Sequence, residues 1–324
     1  LDWYSGTPPH AASPRSGIER VAAAPPAGSR AVGVTWVGEF GEAALRAART
    51  RDAVVVCVGN HPEGNGGWEI VTSPSEGKEA VDRKAIVLPP GQEEFIRQLY
   101  AVNPNTIVVL VANFPVAMPW AAANASTILH MTHASQEQGH ALADVLFGVA
   151  NPGGRTTQTW PASLDQLPAM MDYDIRRGRT YMHFRGEPQY PFGYGLSYTT
   201  FAFANLAVSR PSVTLAETVT LSVDVTNTGK RDGDEVVQVY ARFVGSPIER
   251  APKKLVGFAR VTVPAGQTRR VGIPVRGGDL AYWDATRHVW ALERAQLELL
   301  VGNSSADAAL TLKTTVAVTS SGRG

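Results

Sequence analysis
The chain has 324 residues, a formal net charge of +1, 44% hydrophobic and 18% charged residues, and one cysteine. That length predicts two domains with real cores, and a charge near zero without any local run of Lys or Arg argues against nucleic acid or a membrane surface as partner. A single cysteine excludes an internal disulfide and a thiolate metal cluster, and no stretch reaches the ~20 apolar residues of a membrane-spanning helix.

In chain order, Leu1-Asp2-Trp3-Tyr4 has neither the basic nor the apolar region of a signal peptide and no initiating Met, so Leu1 is expected to be an internal position of a longer polypeptide. Ala31 to Val34 reads as a strand signal before a helical pattern from Glu42 to Arg49. Ala53 to Val58 is a continuous β-branched run holding Cys57, which reads as buried and inert. Gln92 to Tyr100 reads as an amphipathic helix, Thr106 to Ala112 and Ser126 to His130 as strands, and Gln136 to Phe147 as a further helix. Unbroken Val/Ile runs separated by helices predict a mostly parallel sheet covered on both faces, with binding residues in loops at the strand C-termini. The loop after Val58 is the first of these.

From Asn151 the pattern becomes rich in Gly, Pro and aromatics, and Pro188 to Tyr198 predicts an extended, packed connector. Its Phe192, Tyr194, Tyr198 and Phe201 are expected to be buried. Beyond about Leu206, short alternating segments such as Thr220 to Val225, Val236 to Tyr240 and Leu297 to Val301 lie between turn signals including Asn227-Thr228-Gly229-Lys230 and Pro264-Ala265-Gly266. This predicts an all-β sandwich of immunoglobulin or fibronectin III type. The fold class is therefore α/β with a mostly parallel sheet, followed by an all-β sandwich.

Three segments carry a resemblance. They are Glu79-Ala80-Val81-Asp82-Arg83 with Val87-Leu88-Pro89; Asn103 to Val109 with Trp120 and Ala143 to Arg155; and Tyr190 to Phe201 followed by Asn227-Thr228-Gly229 and Gly233 to Tyr240. In this order they resemble glycoside hydrolase family 3, the β-glucosidase/β-xylosidase family. The resemblance implies a barrel carrying an Asp nucleophile, then an α/β sandwich supplying the acid/base, then a fibronectin III-like domain. The barrel has no counterpart here. Residues 1–27 are then a linker from it, 28–160 the α/β sandwich, 161–203 the connector and 204–324 the fibronectin III-like domain. The expected activity is that of a retaining, exo-acting β-glycosidase, inactive without the barrel. The expected ligand is a β-linked oligosaccharide or glycoside, with no cofactor. A homodimer stays open, and the expected location is extracellular or periplasmic.

A retaining glycosidase needs two carboxyls ~5–5.5 Å apart, one attacking the anomeric carbon and one protonating the leaving oxygen. Glu63, Glu76 and Glu79 lie in the loop after Val58. By position relative to Asp82-Arg83 the family's acid/base falls on Glu79, yet Ser75-Glu76-Gly77 copies the triplet that often precedes that pair, so Glu76 remains the alternative. Asp82 and Arg83 are expected to form a carboxylate–guanidinium pair bracing the loop. Trp3 occupies a place where the family carries a sugar-stacking tryptophan, and Trp68 could stack likewise. Asn60 and His61 follow the strand directly and could bond sugar hydroxyls.

His130-Met131-Thr132-His133, with His140, looks like half a zinc site, but no H-E-x-x-H helix accompanies it. Gly64 to Gly67 lacks the Gly-Lys-Ser/Thr ending and the G-x-G-x-x-G spacing of phosphate loops, which disfavours a flavodoxin-like enzyme. Asn124-Ala125-Ser126 and Asn303-Ser304-Ser305 fit a glycosylation sequon that by itself decides nothing. The competing class is a non-catalytic carbohydrate-binding or scaffold module.

Overall fold
The computed structural model describes residues 8–26, 28–60, 76–77, 81–132 and 136–319. The chain divides into two compact units, one of Leu1–Ala150 with Trp160–Gln166 and the other of Asn151–Thr159 with Leu167–Gly324.

The first unit is built on a parallel sheet in the order β1 (Val54–Gly59), β2 (Thr106–Val111), β3 (Thr127–Met131). The central strand β2 is buried on both faces, with Val108, Val109 and Leu110 all inaccessible, as an unbroken apolar run requires. Among the described residues the unit also contains helices α1 (Pro14–Ala23), α2 (Glu42–Ala48), α3 (Gln92–Val102), α4 (Pro119–Asn124) and α5 (Gln138–Leu146). Helix α3 packs on β1 and β2 and buries Phe95, Ile96 and Leu99.

No element was expected before Ala31, and α1 lies there. Ser13 caps it by accepting the Ser16 N–H, with Pro14 at its first position. It packs closely against α5, since a Cβ on Gly17 would run into Gly139 O and one on Gly139 into Ser13 O. The Arg20–Asp144 ion pair at 2.6 Å joins the same two helices. Ala31 to Val34, by contrast, forms no strand, and Val32 and Val34 are exposed. Alternating apolar residues make a strand only where a neighbour takes up the backbone groups, and among the described residues none does so here.

The second unit is an all-β sandwich. One sheet has the order β5 (Ser212–Val213), β13 (Leu312–Val318), β12 (Ala295–Gly302), β7 (Gly233–Val244), β8 (Lys254–Val263); the other is β4 (Phe201–Val208), β6 (Thr218–Asn227), β9 (Thr268–Arg276). Inward residues of both sheets form one core that includes Leu221, Val223, Val239, Ile273, Leu297, Leu299 and Val316. A separate hairpin, β10 (Tyr282–Asp284) with β11 (Val289–Ala291), places Trp283 directly opposite Trp290. These indoles pack edge to face at 5.6 Å and remain 48% and 62% exposed.

The Gly/Pro/aromatic segment before β4 is tied down within this unit. It includes a short helix, α6 (Thr180–His183), whose Tyr181 stacks on Phe192 at 4.5 Å and accepts the Leu255 N–H through its hydroxyl at 2.9 Å. Gly193 O accepts from Gln238 Nε2 at 3.0 Å, and Thr156 exchanges backbone hydrogen bonds with Gly193 and Tyr194. Phe192, Tyr194 and Phe201 are half-buried. Tyr198 departs from expectation: it is exposed, with the Arg231 guanidinium 5.5 Å over its ring, so a cation covers it in place of a core.

Candidate functional site
The site predicted from sequence lies where β1 ends. Gly59 has φ +136°, and a Cβ there would run into Val111 O, so only glycine lets the chain turn off the sheet at this point. The next residue, Asn60, donates its backbone N–H to Val111 O at 3.3 Å. Its side-chain Nδ2 donates to the carbonyl of Glu76. Two sequence-predicted residues 16 positions apart are thereby joined.

The chain on either side of residues 78–80 is closed by a hydrogen bond from Gly77 N–H to Val81 O at 2.8 Å. Gly77 has φ +84°, and a Cβ on it would lie 2.8 Å from the Phe114 ring. The carboxylate of Glu76 accepts the Lys84 backbone N–H at 3.2 Å. Glu76 is thus tied to the loop through both its carbonyl and its side chain.

Arg83 braces this loop, though by other partners than expected. Its guanidinium lies 3.6 Å over the Phe114 ring and donates to Pro115 O at 3.1 Å. Asp82 is not among the partners described for it. The physical reason is the apolar wall beside the loop: a planar guanidinium stacks on an aromatic face while its N–H groups reach a carbonyl in its plane. Burial pulls Arg83 below its ordinary pKa, and the nearby Glu76 charge offsets part of that shift.

Of the other sequence-predicted site residues, Glu79, Trp3, His61 and Trp68 lie outside the described residues, as do Glu63 and His133. His130 bonds Ala112 O through Nε2 at 2.9 Å and packs edge-on against Trp160 at 4.9 Å. His140 Nδ1 lies 2.5 Å from one carboxylate oxygen of Glu137, and His10 Nε2 contacts the other. These hydrogen bonds hold Glu137 below the usual carboxylate range.

Sequence reasoning missed Gln92, Glu93, Phe114 and Pro115. The first turn of α3 reaches two neighbouring elements. Gln92 bonds both backbone groups of Gly59, and Glu93 Oε1 accepts the N–H groups of Trp120 and Ala121 at the start of α4, at 3.1 and 3.2 Å. The available signal was Pro89-Pro90-Gly91 before an amphipathic run, which marks a helix start and leaves the first side chains free to reach outward.

The second unit has an open cleft of about 750 Å³ lined by Asp172, Asp174, Arg176, Arg177, Arg185 and Glu249. Its charges are largely consumed in pairs, Arg176 with Asp174 and Glu249, and Arg177 with Asp172, so it offers no chemistry comparable with the β1 loop.

Residues 1–198 match the model of the glycosyl hydrolase family 3 C-terminal domain, and residues 235–305 match that of the fibronectin type III-like domain. A protein of Aspergillus terreus named "Probable beta-glucosidase I" is 36% identical over 282 residues, covering 82% of this chain and 32% of that protein. The crystal structure of DesR, a β-glucosidase from Streptomyces venezuelae in complex with D-glucose, superposes with a TM-score of 0.72 at 32% identity, covering 85% of this chain and 35% of that one. The β-D-glucoside glucohydrolase of Trichoderma reesei superposes with a TM-score of 0.80 at 26% identity, covering 95% of this chain and 45% of that one. The chain therefore spans about a third to under a half of the length of these proteins.

Proposed function
We propose, because this chain belongs to glycosyl hydrolase family 3, that it supplies the acid/base half of a retaining β-glucosidase site, with Glu79 as proton donor. The nucleophilic carboxylate belongs to a preceding barrel of the same polypeptide. In the first step the nucleophile attacks the anomeric carbon while the Glu79 carboxyl gives its proton to the departing glycosidic oxygen. In the second, the Glu79 carboxylate takes a proton from water as that water attacks the glycosyl-enzyme. Asn60, Trp3, His61 and Trp68 are proposed sugar contacts on sequence grounds alone.

The observation that carries the choice of acid is the engagement of Glu76. Its carboxylate accepts the Lys84 N–H and its carbonyl is held by Asn60, which makes it part of the scaffold of the loop. Three residues on, Glu79 keeps the spacing to Asp82-Arg83 that the family's acid has.

The test uses the full-length polypeptide that carries this chain. An alkoxide leaving group needs the proton in the transition state, whereas a dinitrophenolate departs without it. Glu79→Gln is therefore expected to cost about 10²- to 10⁴-fold on a β-linked disaccharide while largely sparing glycosylation from dinitrophenyl β-glucosides. Azide is expected to restore part of the turnover. Glu76→Gln is expected to be mild; the leaving-group dependence and azide rescue appearing in Glu76→Gln and not in Glu79→Gln would transfer the role to Glu76. The present chain alone is expected to turn over no aryl β-glucoside, since a lone acid cannot form the glycosyl-enzyme.

A further inference from the structure
Gln92 opens α3, a helix fixed in the unit by buried Phe95, Ile96 and Leu99. Its side-chain amide grips one backbone residue twice: Nε2 donates to Gly59 O at 3.0 Å and Oε1 accepts from Gly59 N–H at 2.8 Å. Among the described residues β1 is an edge strand of its sheet, and the amide gives Gly59 the donor and acceptor that a further strand would present on that side. We propose that Gln92 is a positioning residue for the acid/base, fixing the point at which the chain leaves the sheet and, through it, the segment that carries Glu79. The inference rests on the reading that this segment holds the proton donor.

A set of contacts runs from Gln92 to the described residues on either side of Glu79. Gly59 has no side chain with which to anchor itself, and its φ of +136° is one of many conformations open to glycine. What fixes it on the open side is the Gln92 amide. Asn60, the next residue, holds the Glu76 carbonyl; Gly77 closes on Val81 and sits against the Phe114 ring; Arg83 stacks on that ring from within the same loop. Displacement at Gly59 is therefore expected to reach Asn60 and, through its bond to the Glu76 carbonyl, the described residues flanking Glu79.

Proton transfer is steep in geometry, and a misplacement near 1 Å is worth about 10²-fold in rate. The experiment is made in the full-length polypeptide with Gln92→Met, of similar length but without hydrogen-bonding groups, and Gln92→Glu, which keeps the acceptor for Gly59 N–H and sets a carboxylate against Gly59 O. kcat/KM is measured on a β-linked disaccharide and on dinitrophenyl β-glucoside, with the thermal midpoint and with Glu79→Gln in parallel.

The expected result for Gln92→Met is a loss of about 10- to 100-fold on the disaccharide and less than about threefold on the dinitrophenyl glycoside, with the midpoint near that of the parent. A merely structural role lowers both substrates together; equal loss on both, or no loss on either, overturns the inference. If Gln92→Met does not fold, Gln92→Glu is judged by the same two rates. Glu79→Gln separates this inference from the one beneath it: if that variant shows no leaving-group dependence, the assignment of the acid to Glu79 falls. Selective loss in the Gln92 variants would then still place Gln92 in support of a donor on this segment.

Discussion
The core of the sandwich and the end of β1 in the α/β unit are held by different means. In the sandwich, inward residues from eight strands pool into one core, and each contributes burial that neighbours duplicate in kind. At the end of β1 a few hydrogen bonds join side chains to distant backbone: two between Gln92 and Gly59, one from Asn60 to Glu76 and one from Arg83 to Pro115. Burial is non-directional and sums over many residues, so it sets stability; a hydrogen bond is directional and singular, so it sets position. A loop proposed to aim one carboxyl would be served by the second kind of contact.

The sharpest way to break this contrast is inside the sandwich unit itself, where one polar pair is as deeply placed as the core. Arg155 Nη2 meets Glu235 Oε1 at 2.6 Å with the side chains only 8% and 3% exposed. Arg155→Met is expected to destabilise the sandwich by about 3–5 kcal/mol, because it leaves the buried Glu235 carboxylate without its cationic partner and with only the Val236 N–H and Asn303 Nδ2 donating to it. Urea titration measures it, and adding Glu235→Gln should recover much of the loss; failure to recover would mean that Arg155 acts through packing. Leu299→Ala, in the middle of the core, is expected to cost about 2–5 kcal/mol and to shift only the unfolding transition assigned to the sandwich. A matching shift in the α/β transition would erase the distinction between the two units.

The α/β unit has its own signature in pH. Burial raises the Cys57 thiol from 9.0 to about 11, so the folded state holds this proton more tightly than the unfolded chain. Its contribution is complete below about pH 9 and is lost as pH rises toward 11, at most about 2–3 kcal/mol. Cys57→Ala should flatten the alkaline limb of the stability curve, and an unchanged limb would place its cause elsewhere. The smallest effect is expected at Glu93→Ala. Freeing the N–H groups of Trp120 and Ala121 should cost about 0.5–2 kcal/mol, read as faster amide exchange at the start of α4 with little change at β2.

Much of this architecture was legible because it depends on local pattern. The β-branched runs at Val54–Gly59 and Thr106–Val111, the amphipathic run of α3 and the alternation of β6 each announce a period that burial then enforces. Ala31 to Val34 has the same alternation and forms no strand, because pairing is a property of two segments and a pattern belongs to one. Helix α1 escaped notice although Ser13-Pro14 is a start signal, since what holds it is contact with α5, more than 100 residues later. The loop was found from its carboxylates and from the spacing to Asp82-Arg83. Its supports were not, because Gln92 reaches Gly59 across 33 residues and bonds backbone atoms that every residue possesses; nothing in the composition of either partner marks the pair.

The β10–β11 hairpin gives the sandwich an optical reporter of its own. Trp283 and Trp290 face each other at 5.6 Å with their rings 69° apart, close enough and sufficiently non-parallel for their strong ultraviolet transitions to couple into a paired circular-dichroism band of opposite signs. Among the described residues the other ring pairs of this unit involve tyrosine, phenylalanine or histidine and no second pair of indoles, so an indole couplet follows the hairpin. Its loss ahead of the far-ultraviolet β signal on heating would time the opening of this one ribbon without any label or added chromophore.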